Sequence, residues 1–214
     1  MNFRTIIDQF ICKKVDIMQE GFKKIILLVT ILALYFGGYR LVQTMNPVGI
    51  NLEIGLDAYI PFIPEFSVIY LLHIPMIIFV FAFYWNDYKT YRSMSFMLIA
   101  VILIALLIYS AFQTEVLRPI IASTDFFSRL TKTIYKYDMS NNTFPSLHVA
   151  LTTTISAFIY EKNINVGKVL ISLTFLIILS TMFIKQHVFL DIIGGLMLAF
   201  VIFKIKNVFD IKEI

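Results

Sequence analysis

The sequence predicts an all-α fold, a polytopic bundle of membrane helices. Three observations point to it. First, 59% of the 214 residues are hydrophobic and only 15% are charged, whereas a soluble domain is about half apolar and about a quarter charged; mean hydropathy is +0.82. Second, the apolar residues gather in long runs, and about 20 such residues cross the hydrocarbon core of a bilayer. Third, the segments between the runs are too short to build a separate soluble domain. The net charge of +4 gives no reason to expect a nucleic-acid partner. The bilayer is the expected partner, and the basic residues serve to orient the chain in it. Cys12 is the one cysteine, which excludes an intrachain disulfide and leaves no basis for a cysteine-built metal site.

The elements follow in order. Across residues 1–23, Phe3, Ile7, Ile11, Val15, Met18 and Phe22 recur at helical spacing. That pattern predicts an amphipathic helix on the cytoplasmic membrane surface; a helix packed on a protein neighbour would look nearly the same. Asp8, Asp16 and Glu20, with no small-residue cleavage site after the first apolar run, argue against a signal peptide. Six spans are expected, at 25–44, 66–84, 94–114, 145–160, 168–184 and 188–205. The fourth and fifth are short. Together they make one membrane domain over 1–214, with the bundle at 24–206. The loop at 45–65 is broken by Pro47, Gly49, Gly55, Pro61 and Pro64. The loop at 115–143 carries Arg118, Arg129, Lys132 and Lys136. Both exceed the usual length of a plain connection, so each is either a cap over a pocket or a solvated surface loop.

Orientation follows from the basic residues. With the N-terminus in the cytoplasm, that side holds Arg4, Lys13, Lys14, Lys23, Lys24, Lys89, Arg92, Lys162, Lys168, Lys204, Lys206 and Lys212. The other side holds Arg40, Arg118, Arg129, Lys132, Lys136 and Lys185. The excess on the cytoplasmic side is the direction the positive-inside rule requires. Both termini are then cytoplasmic, and Arg118, Pro145, His148, Lys185 and His187 fall at the outer face.

Those residues carry the chemistry. His187 and Asp191 are one helical turn apart and share a face. An aspartate there can accept the ring N–H, fix the tautomer and leave the other nitrogen free to act as nucleophile or base. A polar pair that stitches two helices together has the same spacing. Upstream, Pro145 suits a first helical turn, and Thr143 or Asn142 can cap it. The backbone N–H groups of Ser146 and Leu147 then become an anion site at a helix N-terminus. His148 stands one turn in, placed to protonate a leaving oxygen. Ser146 is either a further donor or only a cap. Arg118 offers a forked grip on phosphate, or it snorkels to the headgroups. Assembled, these parts form a phosphoryl-transfer site: one histidine attacks phosphorus, one gives a proton, and cations with amides hold the equatorial oxygens. No cofactor is implied and no clustered metal ligands are visible. His73, midway along the second span, has no nameable partner and reads as a structural polar residue.

The order Arg118-Pro119, then Pro145-Ser146-Leu147-His148, then Ser180 with His187 and Asp191 resembles the type 2 phosphatidic acid phosphatase superfamily, also called the lipid phosphate phosphatase family. Its pattern is K-x6-R-P, P-S-G-H and S-R-x5-H-x3-D. The resemblance runs from about Ala111 to Asp191. It implies His187 as nucleophile, Asp191 as its orienting partner and His148 as acid, with Arg118, Ser146, Leu147 and Lys185 around the phosphate. The chain departs from the pattern at Ala111 for the lysine, Leu147 for the glycine and Thr181 for the arginine. Lys185, Lys132 or Lys136 are the candidates to restore the lost charge. The F-P-S-L-H and K-Q-H-x3-D forms are similar to the branch that holds inositol-phosphorylceramide synthases, which move a phosphoryl-linked headgroup to a lipid hydroxyl. The substrate expected is a phospholipid or polyprenyl phosphate. Two other readings stay open here: a weakened family member that binds or moves a phospholipid, and a haem or quinone protein with His148 and His187 as axial ligands.

Overall fold

A computed structural model describes residues 3–45 and 48–206, with side chains from Met18 onward. The side chains of Phe3, Ile7, Ile11 and Val15, on which the amphipathic reading rests, lie outside the described residues. So do Pro47 and, from the orientation argument, the side chains of Arg4, Lys13, Lys14 and Lys212.

The chain is helical almost throughout. Helix α1 (Phe3–Leu32) runs without a break at residue 23 and passes through a π-helical stretch, Ala33–Gly38, into α2 (Tyr39–Met45). Loop 45–65 holds a two-residue strand, β1 (Ile50–Asn51), and 3-10 turns at Asp57–Tyr59 and Pro64–Phe66. Next come α3 (Ser67–Leu71), α4 (His73–Phe83) and α5 (Tyr88–Ala111). Strand β2 (Thr114–Glu115) pairs in parallel with β1. The second long loop contains α6 (Phe126–Tyr137), and α7 (Leu147–Lys162), α8 (Ile164–Phe183) and α9 (Phe189–Lys204) complete the bundle.

Among the described residues, four stretches are long and apolar enough to cross a membrane: Met18–Met45, Pro64–Phe83, Tyr88–Ala111 and Ile164–Phe183. The expected fifth span, thought short, is the full 20-residue α8. The expected fourth and sixth, α7 and α9, have 16 residues each, about 24 Å at 1.5 Å per residue. Their setting explains the length. Most of α7 is buried among α5, α8 and α9, so protein rather than lipid surrounds it, and it is not required to match the bilayer. The outward faces of the bundle are apolar: Ile78, Phe79, Leu107, Val169, Phe175, Met197 and Phe200 are all exposed. A continuous apolar exterior of this kind belongs against lipid.

The core is built around α5 and α7, where Tyr91, Met94, Leu98, Ile102, Leu151, Ile155 and Ile159 are fully buried. Helices α7 and α9 run side by side in the same direction. At one end the Ser146 N–H donates to the Asp191 carbonyl at 3.0 Å; at the other, Lys206 pairs with Glu161. Their close approach depends on Gly195. A Cβ there would stand 2.7 Å from the Ser146 carbonyl oxygen and 2.9 Å from the Val149 Cβ.

The described part of the loop, 48–65, is exposed along most of its length and is anchored to the bundle at Asp57. The Asp57 carboxylate is buried and accepts from Ile54 N–H at 2.9 Å and Phe189 N–H at 2.7 Å. It thereby supplies negative charge to the start of α9 from a distant segment. Lys185 Nζ in turn donates to the carbonyls of Asp57 and Ile60, at 3.1 and 2.6 Å.

Replacing Gly195 by alanine is expected to push α9 off α7, because backbone and a β-branched side chain cannot yield as a flexible side chain would. The cost should be about 1–3 kcal/mol, a fall in Tm of roughly 2–12 °C. Thermal unfolding of the detergent-solubilised protein checks this; an unchanged Tm would show that the interface has slack.

Candidate active site

The site forms where the N-terminal ends of α7 and α9 meet. The cap of α7 is Ser146, whose Oγ accepts from Val149 N–H at 3.4 Å, and Pro145 lies just before the helix. Neither expected cap serves there. Asn142 adopts a left-handed backbone at φ 60°, and its side chain donates to the Tyr39 carbonyl and accepts from Gln113. The Thr143 hydroxyl donates to Thr114. Both residues hold the loop, which leaves the cap to the next hydroxyl along.

His187 is set by the turn between α8 and α9. Lys185 takes a left-handed φ of 54°, and the N–H groups of Gln186 and His187 both donate to the Thr181 carbonyl, at 2.9 and 3.2 Å. Asp191 Oδ2 accepts from Val188 N–H at 3.1 Å and lies 3.2 Å from His187 Nδ1. The carboxylate is fully buried, and its Oδ1 has no hydrogen-bond partner among the described residues. A carboxylate oxygen accepts, so in the neutral imidazole His187 Nδ1 carries the proton and Nε2 holds the lone pair. That lone pair faces His148: His187 Nε2 and His148 Nδ1 are 3.4 Å apart. Three residues from two helices thus form one unbroken series, Asp191–His187–His148.

A cavity of about 450 Å³ opens on the His148 side. Its wall combines His148, Leu147, Tyr70 and His73 with Tyr35 and Tyr39 from the π-helical stretch and α2, and with Ile134, Tyr137 and Asp138 from the second long loop. Separately from that cavity, Lys185, His187, Asp57 and Glu53 line a small depression. Aromatic and aliphatic walls with a few converging polar groups are the usual make-up of a small-molecule site.

The four expected phosphate ligands lie at different places around the histidines, and most of their donors are engaged with the protein. Arg118 donates to the carbonyls of Tyr135 and Asp138 at 3.1 and 2.7 Å and lies 4.3 Å over the Tyr135 ring. Its Nε has no partner among the described residues. Burial pushes the guanidinium pKa down and the Asp138 charge pushes it back; an arginine stays protonated under both. Lys185 spends its ammonium on loop 45–65, as described above. The Ser146 N–H is not free, since the Asp191 carbonyl takes it. Leu147 is buried and forms part of the cavity wall. No cation stands at the two departures from the pattern: Ala111 ends α5, and the Thr181 hydroxyl donates to the Ile178 carbonyl at 2.7 Å.

Two residues enter the site that the sequence did not assign to it. His73 is not isolated: its ring contacts His148 and it bonds to Tyr35 and Tyr70. Pro75, two residues on, was the available signal: it has no N–H to bond the Leu71 carbonyl, and α3 ends at Leu71, so His73 stands at the start of a new helix. Asp138 accepts from the hydroxyls of Tyr39 and Tyr70 and from the Gln186 amide. No spacing rule links positions so far apart in the chain.

The axial-ligand reading does not fit. The rings of His148 and His187 touch each other directly, so a haem plane has no space between them. Among the described residues, no group of three or more His, Cys, Asp or Glu side chains is arranged to hold a metal ion.

No curated protein and no solved structure matches the chain. A family model described as the PAP2 superfamily matches residues 48–205. That stretch covers most of the chain and contains all three histidines and Asp191, and the protein therefore belongs to the PAP2 superfamily, whose members generally hydrolyse phosphate esters.

Proposed function

We propose that the protein transfers a phosphoryl group from a membrane lipid phosphate through a phosphohistidine. The observation that carries this is the Asp191–His187–His148 series, with separations of 3.2 and 3.4 Å. Asp191 holds the Nδ1 proton of His187 and stabilises the positive charge that grows on the ring. The Nε2 lone pair of His187 attacks phosphorus. The P–N bond forms as the P–O bond to the leaving alcohol breaks, and His148 gives that oxygen its proton. Neutral His148 then takes a proton from water. The hydroxide oxygen bonds to phosphorus, the P–N bond breaks, and the electron pair returns to Nε2. With an alcohol in place of water, the same step yields a transferred headgroup, as the similarity to inositol-phosphorylceramide synthases implies.

Substrate brings its phosphorus between His187 Nε2 and His148 and opens their 3.4 Å contact, while the His148 ring keeps its orientation. Arg118 contributes its free Nε–H to the phosphoryl oxygens. Lys185 exchanges its carbonyl partners for oxygens of the substrate, and the Ser146 hydroxyl and the Leu147 N–H donate to the same oxygens, where donors aimed at developing charge act most strongly. Phosphatidic acid, phosphatidylglycerol phosphate and polyprenyl (di)phosphates all place a phosphate at headgroup depth and a tail among apolar helices. The site lies at the extracytoplasmic face, with both chain ends in the cytoplasm.

A second reading is favoured by the missing cations at Ala111 and Thr181 and by the engagement of Lys185. It is a weakened family member that binds or moves a phospholipid without turnover. Purified protein offered a panel of short-chain lipid phosphates, with free phosphate and new phospholipid both measured, separates the two. Product from either readout supports the enzyme; binding without product across the panel supports the carrier.

His187→Ala is expected to abolish turnover and any trapped phosphoenzyme, which should be acid-labile and base-stable as a P–N bond is. Residual phosphoenzyme in that variant would place the nucleophile elsewhere. The pH dependence of kcat/KM should be bell-shaped, because one histidine must be neutral and the other protonated. A flat profile from about pH 5 to 8 would be inconsistent with a working pair of groups whose reference pKa is about 6.5.

A further inference from the structure

His73 is buried among the site residues, yet the proposed reaction gives it no task. Its bonds fix its chemical state. Nδ1 lies 2.8 Å from the Tyr70 carbonyl, which can only accept, so Nδ1 carries the proton. Nε2 then holds the lone pair and accepts from the Tyr35 hydroxyl at 2.9 Å. Both ring nitrogens are committed, so His73 is not free to exchange a proton with His148. What remains is ring contact. The two imidazoles meet edge to face with centroids 4.3 Å apart and an interplanar angle of 77°. The Tyr70 ring also lies on His148, at 4.6 Å and 41°.

We propose that His73 is a positioning residue for His148. Tyr35 and the Tyr70 carbonyl lock the His73 ring; His73 and the Tyr70 ring then lock the His148 ring. In that orientation His148 directs Nδ1 at His187 and leaves Nε2 as the nitrogen available to a leaving group in the cavity. The lock has anchors of its own. Tyr70 is tied through its hydroxyl to Asp138, and Tyr35 sits in the π-helical stretch. A phenylalanine would fill the same space in an apolar span without the cost of burying a polar ring. A histidine held at both nitrogens sets one ring orientation, which a phenylalanine has no means to do. This inference rests on His148 as the proton donor of the proposed reaction.

The test compares two substrates on the purified full-length protein. A short-chain phosphatidic acid expels an alkoxide and needs a proton; p-nitrophenyl phosphate expels a stable phenolate and does not. His73→Phe should lower kcat for phosphatidic acid about 10- to 100-fold, as misdirection of an acid by a fraction of its reach would. With p-nitrophenyl phosphate the rate should hold within about threefold, since no general acid is required. Tyr35→Phe keeps its ring and loses only the hydroxyl, so it should show the same selectivity in smaller measure, and it serves if the first variant fails to fold. Adding His73→Phe to His148→Ala should cost nothing further with phosphatidic acid. Equal losses on both substrates, or no loss on either, would overturn the proposal. A His148→Ala variant without leaving-group selectivity would instead overturn the assignment of the acid, which is a separate failure.

Discussion

The contact between the first turns of α7 and α9 decides everything the site can do. The Ser146 N–H binds the Asp191 carbonyl, and Gly195 lets the two backbones approach closely enough for that bond. His148 is two residues beyond Ser146, and His187 is one turn before Asp191. One backbone hydrogen bond therefore sets the spacing of both imidazoles and of the carboxylate. The same bond removes the Ser146 amide from the anion-binding role its place before a helix implies. The geometry trades one donor for a rigid frame, and rigid frames are what positioning on the scale of a reacting atom demands.

The surrounding polar groups serve that frame. Asp57 reaches from loop 45–65 to the start of α9, and Lys185 grips the carbonyls of the same loop. Strands β1 and β2 tie that loop to the second one, whose helix α6 and Asp138 form part of the cavity wall. In a low-dielectric interior an unpaired polar group is costly and a paired one is strong. A chain of paired groups thus fixes one arrangement of elements that apolar packing alone would leave free to slide.

Much of the fold was legible because composition speaks directly to solvent. Long apolar runs gave α7, α8 and α9 at close to their observed bounds; α5 begins well before the expected span at 94–114, and α6, inside the loop at 115–143, was not expected. Of the two helices expected to be short, α8 alone was misjudged, because its first turns carry Asn165, Gly167 and Lys168, which a reading by hydropathy leaves out of a span. The spacing of His187 and Asp191 was legible because a helix is periodic. The meeting of His187 with His148 was suggested by the motif order and the expected orientation, and neither source supplies a distance. His73 and Asp138 were not legible as members of the site. Their partners lie dozens of residues away, and a single sequence has no term for contacts at that separation.

The sequence by itself determined the all-α class, the solvent, the register of His187 on Asp191 and the place of His148 at a helix start. All of these depend on local periodicity or on bulk composition. Only the tertiary structure decided which donors remain free, that Lys185 serves a loop, that Ser146 caps its helix, and that the third histidine packs on the second. Those outcomes turn on which distant backbone groups compete for each hydrogen bond, and that competition is settled only when the helices are packed.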